Sequence, residues 1–113
     1  MDELREHLSN SGNFAPFYLN EATGITEYNH LIAFTYAKLA KALEDGADRL
    51  EVRKFSFCSS RQGEIINEWN YHFTQDQVNF AVLMRKIIKN DSVVREHVKV
   101  DDDHYSHITI KFL

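Results

Sequence analysis

The sequence predicts an α+β domain, a four-stranded antiparallel sheet with two long helices packed on one face in the order helix, hairpin, helix, hairpin. Two stretches carry apolar residues at helical spacing, one running to Leu43 and one from Val78 to Ile88. Each is followed by stretches in which apolar residues alternate with polar ones, broken by turn-forming residues. Hydrophobic residues make up 43% of the 113-residue chain, enough for one domain to bury a core without metal or disulfide.

Residues 1–22 read as an N-terminal arm and 23–113 as the domain. Residues 2 to 9 suit a short helix, but Ser9-Asn10-Ser11-Gly12-Asn13 breaks it and Pro16 forbids its continuation, so a loosely docked arm is expected. Phe14, Phe17, Tyr18 and Leu19 are apolar enough to rest on the domain. From Thr23 or Thr26 a helix begins, with Tyr28, Leu31, Ile32, Phe34, Leu39, Ala40 and Leu43 facing the core and Gly46 as C-terminal cap. His30 stands beside that stripe as an ordinary boundary histidine.

Leu50 to Cys58 reads as a strand with a fault, because Leu50 and Val52 share one parity while Phe55 and Phe57 share the other. A bulge near Arg53-Lys54 reconciles them. Ser59 to Gly63 is a turn, and Ile65, Asn67, Trp69, Tyr71 and Phe73 form the returning strand. The length of this hairpin is read first as a twisted hairpin that simply overhangs, and as the alternative it offers an edge for association. Thr74-Gln75-Asp76-Gln77 has a helix-capping pattern, which places a helix start near Gln75, and Asn90-Asp91-Ser92 ends that helix. Val94, Val98 and Val100 then alternate, Asp101-Asp102-Asp103 makes a charged turn, and Ile108, Ile110 and Phe112 alternate on the way back. Phe80, Leu83, Ile87, Val98, Ile108 and Ile110 are expected to share one core.

A net charge of −4 argues against general nucleic-acid binding, which needs a basic patch to displace counterions. Cys58 is the only cysteine, so neither a disulfide nor a cysteine-based zinc site forms within the chain. No apolar run reaches the ~20 residues of a membrane span. A soluble, cytoplasmic protein is the expectation. His104 and His107, beside the aspartates, have metal-ligating chemistry, but residues three apart in a strand point to opposite faces, so no metal is expected. His72-Phe73-Thr74 and His107-Ile108-Thr109 form two His-hydrophobic-Thr triplets of the kind found in two-histidine phosphoesterases. Their interval is short for that chemistry, and Thr74 has a capping role.

His72-Phe73, Phe80-Ala81, Arg85 and the run His107-Ile108-Thr109-Ile110 follow one another without gaps, and in this order they resemble the pterin carbinolamine dehydratase family, also known as a dimerisation cofactor. The resemblance is confined mainly to residues 72–113. It implies that His107 is a catalytic histidine. The family carries two histidines and a proline between the helix and the third strand, where this chain has Arg95-Glu96-His97. His97, at the proline position, is the one other candidate for catalysis, and Arg95, Glu96, Tyr105 and Thr109 are the candidate substrate contacts. Dehydrating a carbinolamine requires one group to protonate the leaving hydroxyl and another to take a proton from the ring nitrogen, tasks suited to imidazoles. Arginine stays protonated and glutamate is normally ionised, so neither replaces a neutral imidazole.

The expected function is therefore a dehydratase-like domain, catalytically degenerate, that serves as a protein-binding or oligomerisation module. Two alternatives stand beside it: an active 4a-hydroxytetrahydropterin dehydratase, and a small acidic inhibitor or adaptor of viral or mobile-element type. The expected partners are a second copy of the chain, with a dimer first, another protein, or a pterin, and no cofactor is implied. Exposed sheet edges motivate the dimer, as does a chain that ends in its last strand with Phe112 and Leu113 at a free end.

Overall fold

The structure is a computed structural model that describes residues 2–11, 28–71 and 79–113. Its elements are α1 (Asp2–Ser11), α2 (Tyr28–Glu44), β1 (Arg49–Arg53), β2 (Ser56–Arg61), β3 (Glu64–Asn70), α3 (Phe80–Asn90), α4 (Ser92–His97), β4 (Val98–His104) and β5 (His107–Phe112). The strands form one antiparallel sheet in the order β3-β2-β1-β5-β4. The α+β class and antiparallel sheet match the sequence reading, but the sheet has five strands, not four.

The additional strand comes from the parity break at Arg53-Lys54. Instead of bulging there, the chain reverses through Lys54-Phe55, and Val52 faces Phe57 across the new ladder while Leu50 faces Ser59. A two-residue turn inverts parity as a bulge does, which is why the sequence pattern alone could not tell them apart. The bulge in this sheet lies between Ser59 and Ser60, opposite β3. The β2–β3 turn narrows to Gln62 and Gly63, both at positive φ (52° and 84°), the backbone a two-residue hairpin of matching twist demands.

The last strand is not at an edge. β5 pairs with β1 on one side, with Arg49 opposite Lys111 and Val52 opposite Ile108, and with β4 on the other, with Val98 opposite Phe112. The Phe112 N–H donates to the Asp48 carbonyl at 3.0 Å and the Leu113 N–H to the His97 carbonyl at 3.1 Å. The expected free C-terminal end is thus tied down on both sides. Ile108, Thr109 and Ile110 are buried in succession, a run that suits a central strand.

Three further boundaries differ from the sequence reading. Asn79 is extended (φ −140°, ψ 101°) and caps α3, its side chain accepting from the Val82 N–H at 3.2 Å, so the helix starts at Phe80 instead of Gln75. Residues 92–97 form α4, which puts Arg95, Glu96 and His97 on a helix and buries Val94 there, not on a strand. β4 continues through His104, so the acidic triplet lies in the strand and the turn is Tyr105-Ser106. The expected roles of Phe14, Phe17, Tyr18, Leu19, His72, Phe73 and Thr74, and the start of α2 at Thr23 or Thr26, fall outside the described residues.

One face of the sheet is covered by helices. Leu50, Val52, Phe57, Ile108 and Ile110 are fully buried, as are Phe34 of α2 and Phe80 of α3, and Leu83, Ile87 and Val98 are nearly so. All six residues expected to share the core do so. Phe57 and Phe80 lie 4.8 Å apart between ring centroids in a tilted pair, with Phe34 at 5.9 Å edge-on to Phe57 and at 5.4 Å stacked on Phe80, arrangements that add to the burial. The arm's helix is docked: Leu4 and Leu8, one helical turn apart, are buried in the core, with α1 packed on α2 and α4. The other sheet face carries Arg49, Glu51, Arg53, Cys58, Thr109 and Lys111, a polar surface. No described helix is long and apolar enough to cross a membrane.

Leu8→Ala is expected to lower stability by ~2–5 kcal/mol, as for other buried leucines. The measurement is the urea midpoint. A loss under about 0.5 kcal/mol would return α1 to the status of a loose arm.

Candidate functional site

β5 positions His107. Because Ile108 and Ile110 turn toward the helices, His107, Thr109 and Lys111 point to the polar face. His107 stands between Arg53 on β1 and His104 on β4, half-buried, and its Nε2 is buried without a hydrogen-bond partner among the described residues. It lines a cavity of about 420 Å3 at the end of the sheet, together with Arg53, Lys54, Ser56, Tyr71 and Ser106.

The β4–β5 turn beside it is held by α3. The Arg85 guanidinium donates to Asp102 Oδ1 at 2.6 Å and to the backbone carbonyls of His104, Tyr105 and His107. Arg85 holds the Asp102 carboxyl below its ordinary value, and Lys111, at 2.8 Å, does the same for Asp101. Asp101 and Asp102 thus supply partners for basic side chains. His104 and His107 do not diverge as expected: with Tyr105-Ser106 as a two-residue turn they become cross-strand partners on one face. His104 is committed locally, its Nδ1 accepting from the Ser106 N–H at 3.2 Å. Among the described residues no group of three or more His, Cys, Asp or Glu side chains could hold a metal ion.

The other candidate residues do not gather around His107. His97 ends α4 and precedes Val98, whose partner is Phe112. That places it at the opposite end of the β4–β5 hairpin, ~17 Å along the strand from His107. Its Nε2 lies 3.7 Å from the Glu3 carboxylate. Arg95 and Glu96 are exposed on the same helix, with Arg95 donating to the Lys89 carbonyl at 3.3 Å. Thr109 shares the face of His107 but is buried between Glu51 and Asp101. Tyr105 is exposed at the turn. Of the six, only His107 lines the cavity.

Two polar features escaped the sequence reading. Asp91 is a hub: its Oδ2 accepts from the Tyr36 hydroxyl at 2.7 Å and pairs with His7 Nε2 at 2.7 Å, while Oδ1 accepts from the N–H groups of Val93 and Val94 and so caps α4. One carboxylate therefore joins α1, α2, α3 and α4. Burial acts to raise its pKa, but hydrogen bonds from His7, Tyr36 and the Val94 N–H outweigh this and hold it below the usual value. A lowered carboxyl stabilises the fold at pH above its unfolded value of ~3.9, and that contribution is lost as pH falls through the folded value. Asp before Ser-Val-Val was the available sequence signal for a cap.

Lys38 is the second. It is fully buried, and its Nζ has no hydrogen-bond partner among the described residues. The ammonium lies 4.2 Å from the Trp69 ring, 5.1 Å from Phe34 and 5.3 Å from Tyr71, so aromatic faces replace its hydration. Burial, with a smaller contribution from Lys41, lowers its pKa to about 8. The signal was in the stripe Leu31-Phe34-Lys38-Ala42, in which a lysine occupies a core position. Cys58, by contrast, has its thiol pKa raised by burial and by Glu51 and Glu68, which suppresses the thiolate a nucleophile needs.

Comparison with the profiles of known families, with curated proteins and with solved structures finds no match.

Lys38 titrates about 8 in the folded chain and ~10.4 when unfolded, so between these values the unfolded state binds more protons and stability rises with pH. Lys38→Met, which keeps the volume and removes the charge, is expected to add ~1–2 kcal/mol at pH 7, the ring contacts already offsetting part of the desolvation. Chemical denaturation at pH 7 and pH 10 tests this: the gain should shrink at the higher pH, and a constant difference would show that charge is not its cause.

Proposed function

We propose that this chain is a pterin dehydratase-like domain without a working dehydratase centre, and that it acts as a homotypic association module through the outer edge of β3, the outermost of the described strands. The observation that carries the first half is the separation of His107 from Arg95, Glu96 and His97 by the length of a hairpin. A lone imidazole cannot both protonate the departing hydroxyl and accept the ring-nitrogen proton in one step.

The second half rests on how the two sheet edges differ. β4 carries Lys99, Asp101 and Asp102, has an irregular register before His104, and is clamped by Arg85, all features that discourage a further strand. Among the described residues β3 pairs only with β2, and it presents Ile65 at 62% exposure and Ile66 at 36%, with neither lysine nor proline in its length. A second copy of β3, placed antiparallel across a two-fold axis, covers these side chains and satisfies the unpaired backbone groups. The C-terminal residues have no part in this association, since they are already paired.

Light scattering at ~100 µM is expected to give about twice 13.2 kDa, and Ile65→Lys to give a monomer with an unchanged circular dichroism spectrum. A wild-type monomer at that concentration would refute the association. Turnover of 4a-hydroxytetrahydropterin above the uncatalysed rate, abolished by His107→Ala, would restore the enzymatic reading.

A further inference from the structure

The cavity at the end of the sheet carries an inference independent of the association surface. Arg53 closes β1, Lys54 and Phe55 form the turn, Ser56 opens β2, and Ser106 and His107 reach in from the β4–β5 turn. The floor is fixed by the backbone: the Phe80 N–H donates to the Lys54 carbonyl at 3.0 Å and the Tyr71 N–H to the Phe55 carbonyl at 2.8 Å. The main chain that carries Lys54 and Phe55 is therefore in place before a ligand arrives, which leaves only side chains to be ordered on binding.

The composition of the lining reverses the sign of the chain. Against a net charge of −4, the described residues of the cavity wall include an arginine, a lysine, a histidine and two serines, and no carboxylate among them. Glu51 approaches Arg53 at 3.8 Å, too far for a hydrogen bond, and the Arg53 side chain is 62% exposed, so its fork is able to turn toward an anion. Lys54 Nζ lies 5.0 Å over the Phe55 ring, at the edge of the same space. His107 Nε2 has no partner among the described residues.

We propose that this cavity binds a small phosphate monoester, with Arg53, Lys54 and His107 around the phosphate and a flat organic group against Phe55 and Tyr71. A phosphate offers three acceptor oxygens and up to two charges to this set of donors, whereas a carboxylate offers two oxygens and one charge. The volume of about 420 Å3 exceeds what the phosphate alone fills and falls within the ~300–1,000 Å3 of small-molecule sites, which leaves room for the organic part.

The test is a titration of the full chain with phenyl phosphate, inorganic phosphate and benzoate at constant ionic strength, followed by amide and imidazole resonances. Phenyl phosphate should shift Lys54, Phe55, Ser106 and His107 saturably, about tenfold more tightly than either other probe, a difference of ~1.4 kcal/mol. The double variant Arg53→Gln, Lys54→Gln should keep the folded spectrum and weaken binding by about tenfold or more. No saturable shift below ~10 mM, shifts unaltered in the double variant, or equal affinity for benzoate would each overturn the proposal. Inorganic phosphate binding as tightly as phenyl phosphate would remove the organic half of the ligand and overturn the monoester assignment.

Discussion

The structure depends on the burial of β5 between β1 and β4. Ile108 and Ile110 point into the core at the centre of the sheet, and the strand that carries them is the last one in the chain. Arg49 and Lys111 are far apart in sequence, so the central ladder is also the most non-local one. Local pieces, the β1–β2–β3 meander and the β4–β5 hairpin, can form early, but they remain two half-sheets until β1 and β5 meet. The same pairing gives the candidate site its geometry. It sets His107 beside Arg53, and so beside the Lys54-Phe55 turn, residues more than fifty positions apart in sequence.

What could be read from the sequence was whatever obeyed a single period. The stripes of α2 and α3, the alternation of Ile108, Ile110 and Phe112, and the six shared core residues all follow from one apolar face meeting another. What could not be read was each place where two local solutions share one pattern. A bulge and a tight turn both invert parity, so Leu50, Val52 and Phe57 gave the wrong strand count. Three successive aspartates look like a turn until Arg85 and Lys111 are seen to supply partners for Asp102 and Asp101 within the strand. Asp91 resembled a helix stop, and it is one, but it is also the start of the next helix. The pairing of His104 with His107 followed the misplaced turn: moving it from Asp101-Asp102-Asp103 to Tyr105-Ser106 changed a diverging pair into a facing one.

Polar chemistry on this fold is divided by the sheet. On the uncovered face, charges mostly cancel in short range, Lys111 with Asp101 at 2.8 Å and Arg49 with Asp48 at 3.3 Å, and these exposed pairs each contribute little to stability. The end of the sheet around Lys54 and His107 is left as a place where cations gather with no carboxylate among the described lining residues. Under the sheet, Asp91 collects four donors in a half-buried setting, where removing the acceptor leaves several groups unsatisfied at once.

Lys38 connects the two faces of this account. β3 has one neighbour in the sheet, so its attachment to the core relies on the side chains it turns inward, and Trp69 is the largest of them. That indole lies over a buried ammonium, with Tyr71, just past the strand, and Phe34 completing the enclosure. A methylene chain with an apolar terminus would fill the space at less desolvation cost, yet it would lose the attraction that draws the ring face onto the cation. The buried charge thus weakens the domain as a whole while holding in place the outermost of the described strands, and an edge held from beneath is better able to receive a second strand than one that frays.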